Sequence, residues 1–239
     1  MVERHGRAHE HLVTHRGGNR VRGRVYQLKR IVIQATAGVL FVVAAACRPI
    51  GAQNSDGLHN PAALTEHAPP RFEAAFDTSK GRFVVDVHRE WAPIGADRFY
   101  NLVKSGFFDD VRFFRVIARQ LAQFGMHGDP AVQDAWRDAE IEDDPVKHGN
   151  TRGSVSFASR GPNTRTTQLF INLRDNTAYD RLGFAPFAEV VTGMDVVDTL
   201  YSGYEERPEQ GLIDEQGNAY LTREFPNLDY VKKAAVISN

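Results

Sequence analysis

The chain has 239 residues, of which 42% are hydrophobic and 25% charged, a globular balance that excludes a disordered or fibrous protein. Its 29 basic and 30 acidic side chains nearly cancel, but eight of the basic and only two of the acidic ones lie in residues 1–30. The 21 basic and 28 acidic groups that remain give a net of −7, so no nucleic-acid partner is expected, since that binding rests on clustered positive charge. The single cysteine, Cys47, excludes an internal disulfide, a CxxC redox pair and a cysteine-rich zinc site.

The first segment, residues 1–47, reads as an address. A basic stretch ends at Arg30, residues 31–46 are uncharged and largely apolar, and the small residues Ala44, Ala45 and Ala46 lead into Cys47. A positive region, an apolar region and small residues make a secretory signal pattern, and the apolar stretch is short for a membrane-spanning helix. The last residues resemble a bacterial lipoprotein lipobox, which implies Cys47 as the lipidated residue. A membrane anchor through lipidated Cys47 or through the uncleaved N-terminal segment, and soluble periplasmic or secreted release, all start from the same expectation of export.

Residues 48–70 are rich in Gly, Pro, Asn and Ala without an apolar period, and read as a flexible tether. From Arg71 to the end, residues 71–239 read as one domain. Residues 72–88 form two alternating runs joined at Thr78–Gly81, a hairpin signal. Pro93 opens a helix with Ile94, Phe99, Leu102 and Val103 at roughly helical spacing, closed by Gly106. Strands are expected at Val111–Ile117, Gly153–Ala158, Gln168–Asn172, Phe184–Val191 and Tyr230–Ile237, with a second helix at Met194–Tyr201. The stretch Ser202–Phe225, with its Gly, Glu and Pro, reads as a long surface loop. Many short strands with only two helices point to a mainly β barrel or sandwich.

Familiar catalytic arrangements are missing: there is no GxSxG elbow, P-loop or HExxH. The five histidines after the leader show no metal-ligand spacing, so neither a metal nor a cofactor is expected. His127 and Asp129 read as turn residues, and the acidic run Glu140–Asp144 as a solvated loop. Two segments stand out. If Val111–Ile117 is a strand, Phe113 and Arg115 share a face, an always-charged fork beside an aromatic ring. Phe157–Ile171 contains a Gly161-Pro162-Asn163 turn, a Thr-rich loop and a strand beginning at Gln168.

Phe113-x-Arg115-Val116-Ile117 resembles the F-H-R-[IV]-I strand of the cyclophilin family of peptidyl-prolyl cis-trans isomerases. The run from Gly161 through Pro162, Asn163, Thr164, Gln168 and Phe170 to Ile171 is similar to that family's G-P-N-T-x-x-S-Q-F-F-I signature, and Phe187–Val197 to its later strand-turn-helix. The resemblance spans Arg71 to Ile237 in the expected order. It implies a closed eight-stranded antiparallel β-barrel capped by two α-helices, binding proline-containing polypeptides, and we expect a monomer. Carried over by position, it implies Arg115 as the catalytic arginine and Gln123 as the catalytic partner that grips the substrate. It further implies a groove lined by Ala158, Ser159 and Gln168, and a proline pocket bordered by Phe113, Leu121, Phe170, Tyr179 and Phe184.

The departures from the pattern are Phe114 for the strand's histidine, Arg119 for a glycine, Gln120 for a pocket phenylalanine and Thr167 for a serine. Where members carry a tryptophan, this chain offers Ala178 or, without a gap, Tyr179. The expected function is therefore an exported isomerase acting on X-Pro bonds of folding proteins outside the cytoplasm. The alternative is a non-catalytic chaperone or scaffold module that holds Pro-containing segments on the same fold.

Overall fold

A computed structural model describes residues 55–238. The expected address at residues 1–47, with Cys47, and residues 48–54 of the expected tether lie outside the described residues.

The arm that precedes the domain is packed down, which corrects the flexible tether over its described part. Helix α1 (Ser55–Leu58) and a single 3-10 turn at Pro61–Ala63 lead into residues 64–70. Leu58 and Leu64 pack on the core, and the Trp136 indole donates to the Leu58 carbonyl at 2.8 Å. The Ala68 N–H bonds Asp97 at 2.8 Å, and Asn101 exchanges two hydrogen bonds with the Glu66 backbone. The Gly and Pro content signalled irregular backbone, but side chains of the domain supply its hydrogen-bond partners.

Strands β1 (Arg71–Thr78) and β2 (Arg82–His88) form the expected hairpin, with Phe72, Ala74, Phe76, Phe83, Val85 and Val87 turned inward. Helix α2 (Pro93–Ser105) starts with Pro at its first turn and ends where Gly106 turns left-handed at φ 76°, a conformation open to glycine. It buries Ala96, Phe99, Leu102 and Val103 and leaves Ile94 exposed. Strands β3 (Arg115–Ile117) and β4 (Leu121–Phe124) make a second hairpin, turned at Arg119 with φ 60°. Helix α3 (Pro130–Trp136) is capped by Asp129, whose carboxylate accepts from the Ala131 N–H at 2.9 Å. Then come β5 (Ser154–Phe157), β6 (Leu169–Asn172), β7 (Pro186–Thr192), α4 (Met194–Asp198), α5 (Gln210–Glu224) and β8 (Val231–Ser238).

The eight strands among the described residues form one antiparallel sheet in the order β3-β4-β6-β5-β7-β2-β1-β8. It curls into a half-barrel and stays an open sheet, which corrects the closed barrel. The two end strands do not pair along their length. The segment before β3 meets the start of β8, through the bridge Arg112–Tyr230 and hydrogen bonds such as Val231 N–H to Val111 C=O at 2.9 Å. The expected strand from Val111 therefore begins only at Arg115. The two-helix expectation is also corrected, chiefly by α3 and α5, the latter inside the stretch 202–225 read as a loop.

Inside the curl, Phe72, Phe76, Phe99, Phe108, Phe124 and Phe187 meet ring against ring, as in the Phe76–Phe83 stack at 5.0 Å. A smaller apolar cluster sits under α5, made of Phe114, Met126, Ile213, Tyr220, Leu221 and Leu228. Phe113 and Phe114 are both buried, one in each cluster. A regular strand would put residues 113, 115 and 117 on one face and 114 and 116 on the other, yet Phe113 and Val116 both enter the main core, so the alternation breaks before Arg115.

Candidate active site

Cross-strand register assembles a groove on the outer part of the sheet. Arg115 lies opposite Gln123 in the β3–β4 pair, and Gln123 lies opposite Phe170 in the β4–β6 pair, so three strands present one row of side chains. Leu121 shares that face two residues before Gln123. The row forms the floor of a cavity of about 280 Å³, completed by Ala158 and Ser159 after β5, by Tyr179 and Phe184 from the turn 177–184, and by Gln210.

The polar half of the groove is one hydrogen-bonded chain. Arg115 Nη1 donates to Gln123 Oε1 at 3.1 Å, Gln123 Nε2 to Gln168 Oε1 at 2.8 Å, and Gln168 Nε2 to Gln210 Oε1 at 3.1 Å. Gln123 is buried, so its amide keeps its orientation only because both ends are satisfied. The opposite edge of the guanidinium, Nε and Nη2, is engaged by the Glu206 carboxylate, with Nε at 2.8 Å.

The apolar half is an aromatic corner. Phe170 meets Tyr179 and Phe184 edge-on at 5.7 and 5.4 Å, and those two meet each other at 5.6 Å. Phe170 and Leu121 are buried, whereas Tyr179 and Phe184 keep part of their surface open. Such a corner accepts a compact apolar ring and has no charge of its own to offer it.

All the groove residues expected from sequence come together here except Phe113. Its ring is wholly buried in the main core against Phe124 at 4.9 Å, and it does not border the pocket. The expectation that it shares Arg115's face fails because β3 starts at Arg115, four residues later than the apolar pattern suggested, which leaves Phe113 outside the regular strand. Of the two candidates for the tryptophan position, Tyr179 stands at the wall and Ala178 is exposed. Gln120 does not enter the groove. Its Nε2 donates to the Tyr179 hydroxyl at 2.9 Å, and with Arg119 it borders a separate polar cavity beside Arg152 and Arg174. Thr167 is buried, with its hydroxyl on the Gly125 carbonyl at 2.7 Å.

Glu206 and Gln210 are the groove residues that sequence reading missed. The available signal was weak: Ile213, Tyr220 and Leu221 have helical spacing, but Gly217 interrupts it. The acidic run was misjudged too. Asp144 is buried, accepts from the Ile94 and Gly95 N–H groups at the start of α2, and pairs with buried Arg165 at 3.1 Å. Ligand atoms that could hold a metal converge at Asp86, His88 and Glu189, within 4.8 Å of one another on β2 and β7. Arg71 already grips the Asp86 carboxylate there through Nε at 2.9 and 3.0 Å, which supplies the positive charge a cation would bring.

Comparison with known proteins agrees with this geometry. The family model for cyclophilin type peptidyl-prolyl cis-trans isomerase/CLD matches residues 74–215. A peptidyl-prolyl cis-trans isomerase of Acinetobacter baylyi is 30% identical over 143 residues, covering 57% of this chain and 76% of its own. Peptidyl-prolyl cis-trans isomerase B of Escherichia coli is 32% identical over 139 residues, covering 52% and 81%. The crystal structure of a cyclophilin type isomerase of Cryptosporidium parvum shares the fold, with TM-score 0.53, 20% identity, and coverage of 71% of this chain and 99% of that one. The crystal structure of that protein in the presence of the dipeptide Ala-Pro gives a TM-score of 0.52 at 19% identity, with 70% and 99% coverage.

Proposed function

The chain belongs to the cyclophilin-type peptidyl-prolyl cis-trans isomerase family, and we propose that it turns X-Pro bonds in the groove between Arg115 and the Phe170–Tyr179–Phe184 corner. The juxtaposition of a fixed guanidinium and an aromatic corner across one 280 Å³ cavity carries this reading. The proline ring enters the corner, and the peptide runs past Ala158, Ser159 and Gln168.

Rotation about the X-Pro bond faces a barrier of about 18–20 kcal/mol because it breaks amide resonance. At the twisted transition state the prolyl nitrogen regains a lone pair, and a guanidinium N–H directed at it bonds that state and not the planar one. One charge-assisted hydrogen bond contributes roughly 1.5–3 kcal/mol. An acceleration of about 10⁴ needs about 5.5 kcal/mol, so Arg115 alone falls short. The apolar corner supplies a second contribution: the planar amide is the more polar form, and its transfer out of water costs more than that of the twisted form. The grip of Gln123 holds the chain on one side while the other turns.

The setting we propose is outside the cytoplasm, on folding polypeptides, with attachment to a membrane through Cys47. Support for this is the basic–apolar–small pattern of residues 1–47. The isomerase is tested by NMR exchange on a short Ala-Pro peptide, with the wild type and Arg115→Ala. Acceleration by the wild type that collapses in the variant while peptide affinity persists is the expected result. Equal acceleration by both would remove Arg115 from the mechanism, and binding without acceleration by either would favour the holding module.

A further inference from the structure

Residues 203–210 are tied into the groove at two points, and the ties close a ring. Arg115 is bonded to Glu206 on one edge and to Gln123 on the other; Gln123 leads through Gln168 to Gln210, four residues after Glu206. Both edges of the guanidinium are thus anchored to one short segment, directly and through two amides.

The segment is itself held in place. Glu205 bridges to Val116, the neighbour of Arg115 on β3, and sits at φ 50°. Arg207 donates to the Gly203 carbonyl at 2.8 Å and lies over the Tyr204 ring at 4.9 Å, while Tyr204 packs on Phe225 at 5.1 Å. Pro208 is buried. Phe114, immediately before Arg115, anchors the cluster beneath α5, so the departure from the family strand's histidine coincides with the docking of this element.

We infer that Glu206 and Gln210 are positioning residues for the isomerase reaction, which fix the plane of the Arg115 guanidinium; this rests on the groove reading above. The donor count agrees. A guanidinium has five N–H groups. Glu206 takes the Nε–H and one on Nη2, and Gln123 takes one on Nη1, which leaves two for a peptide. The Glu206 ion pair therefore does not block the arginine. Nor does it serve mainly to stabilise the fold, because the Glu206 side chain is 61% exposed and such rim pairs contribute little. Its effect is to remove the rotational freedom of a long side chain whose N–H must meet a nitrogen that is an acceptor only at the transition state.

The test compares Glu206→Gln, Gln210→Ala and a charge-loss control, Glu209→Gln, whose side chain is exposed and outside the ring. Exchange rate at saturating Ala-Pro peptide and peptide affinity are measured separately. Glu206→Gln is expected to slow the saturated rate about tenfold with affinity changed less than about twofold, and Gln210→Ala to act in the same sense more weakly. In an Arg115→Lys background, which lacks the planar fork, Glu206→Gln should have no further effect. A saturated rate unchanged or raised in Glu206→Gln overturns the inference, as does an equal effect in the Arg115→Lys background. Loss in Arg115→Ala with none in Glu206→Gln leaves the groove reading standing and removes only this one.

Discussion

Helix α5 and the segment that enters it bring Gln210 and Glu206 to the groove, and the helix docks through a glycine. Gly217 has φ 55° and ψ −139°, a non-helical backbone inside α5, and the next N–H, of Asn218, bonds the Gly128 carbonyl at 2.8 Å. A Cβ at Gly217 would lie 2.1 Å from the Gly128 oxygen and 2.9 Å from its carbonyl carbon. Gly217→Ala therefore incurs about 1–3 kcal/mol of backbone strain. It also forces the helix back by roughly an ångström, with loss of a hydrogen bond worth about 1 kcal/mol. The expected destabilisation is about 2–4 kcal/mol, or a midpoint lower by roughly 4–16 °C for a domain of this size. Gly211 in the same helix has nothing within 4 Å and no unusual backbone, so Gly211→Ala should stabilise by about 0.5 kcal/mol. Urea and thermal unfolding give the two midpoints, and peptide exchange reports the groove. If Gly217→Ala kept both its midpoint and its exchange rate, the account of how α5 docks would be wrong.

Asp144→Ala removes two N–H contacts at the start of α2 and leaves Arg165 buried without that carboxylate, so a loss of about 3–5 kcal/mol should appear in urea unfolding. Burial holds the His127 imidazole below its ordinary 6.5, against the pull of Asp129. The unfolded chain then binds a proton the folded one refuses, so stability should fall as pH drops below about 6.5. Urea midpoints at pH 7 and 5.5 check this, and His127→Asn should flatten the difference. Tyr179→Phe deprives Gln120 Nε2 of its partner and should weaken peptide binding about two- to fivefold by NMR titration. Phe170→Ala removes the centre of the corner, and should abolish measurable binding and cost about 3–5 kcal/mol of stability.

Much of the groove was legible because its parts are local in sequence. Arg115 and Gln123 lie on the two arms of one hairpin, and Gln168 and Phe170 at the start of β6, so short motifs carry their placement. The β1–β2 hairpin and α2 were legible from alternation, helical spacing and a closing glycine. Phe113 was misassigned because period-two reasoning presumes a regular strand, whereas Phe113 and Val116, which alternation would place on opposite faces, both enter the main core. Asp144 was misjudged because a carboxylate in an acidic run reads as solvated. Its burial depends on Arg165 and the start of α2, 21 and about 50 residues distant.

The sequence by itself determined that strands dominate, that an arginine–glutamine pair faces an aromatic pocket, and that the chain resembles one isomerase family. The strand content follows from alternation, which acts between near neighbours, and the arginine–glutamine pair with its aromatic pocket is what the resemblance of short motifs to that family implies. Only the tertiary structure decided how far the sheet closes, that residues 55–70 pack against the domain, and that the segment entering α5 brings Glu206 to Arg115 and Gln210 to Gln168. Each of those depends on contacts across long separations, 91 residues in the case of Arg115 and Glu206. The partner that stabilises such a segment is absent from its own local pattern, so a stretch with weak helical spacing and one glycine reads as a loop until the surface that covers it is known.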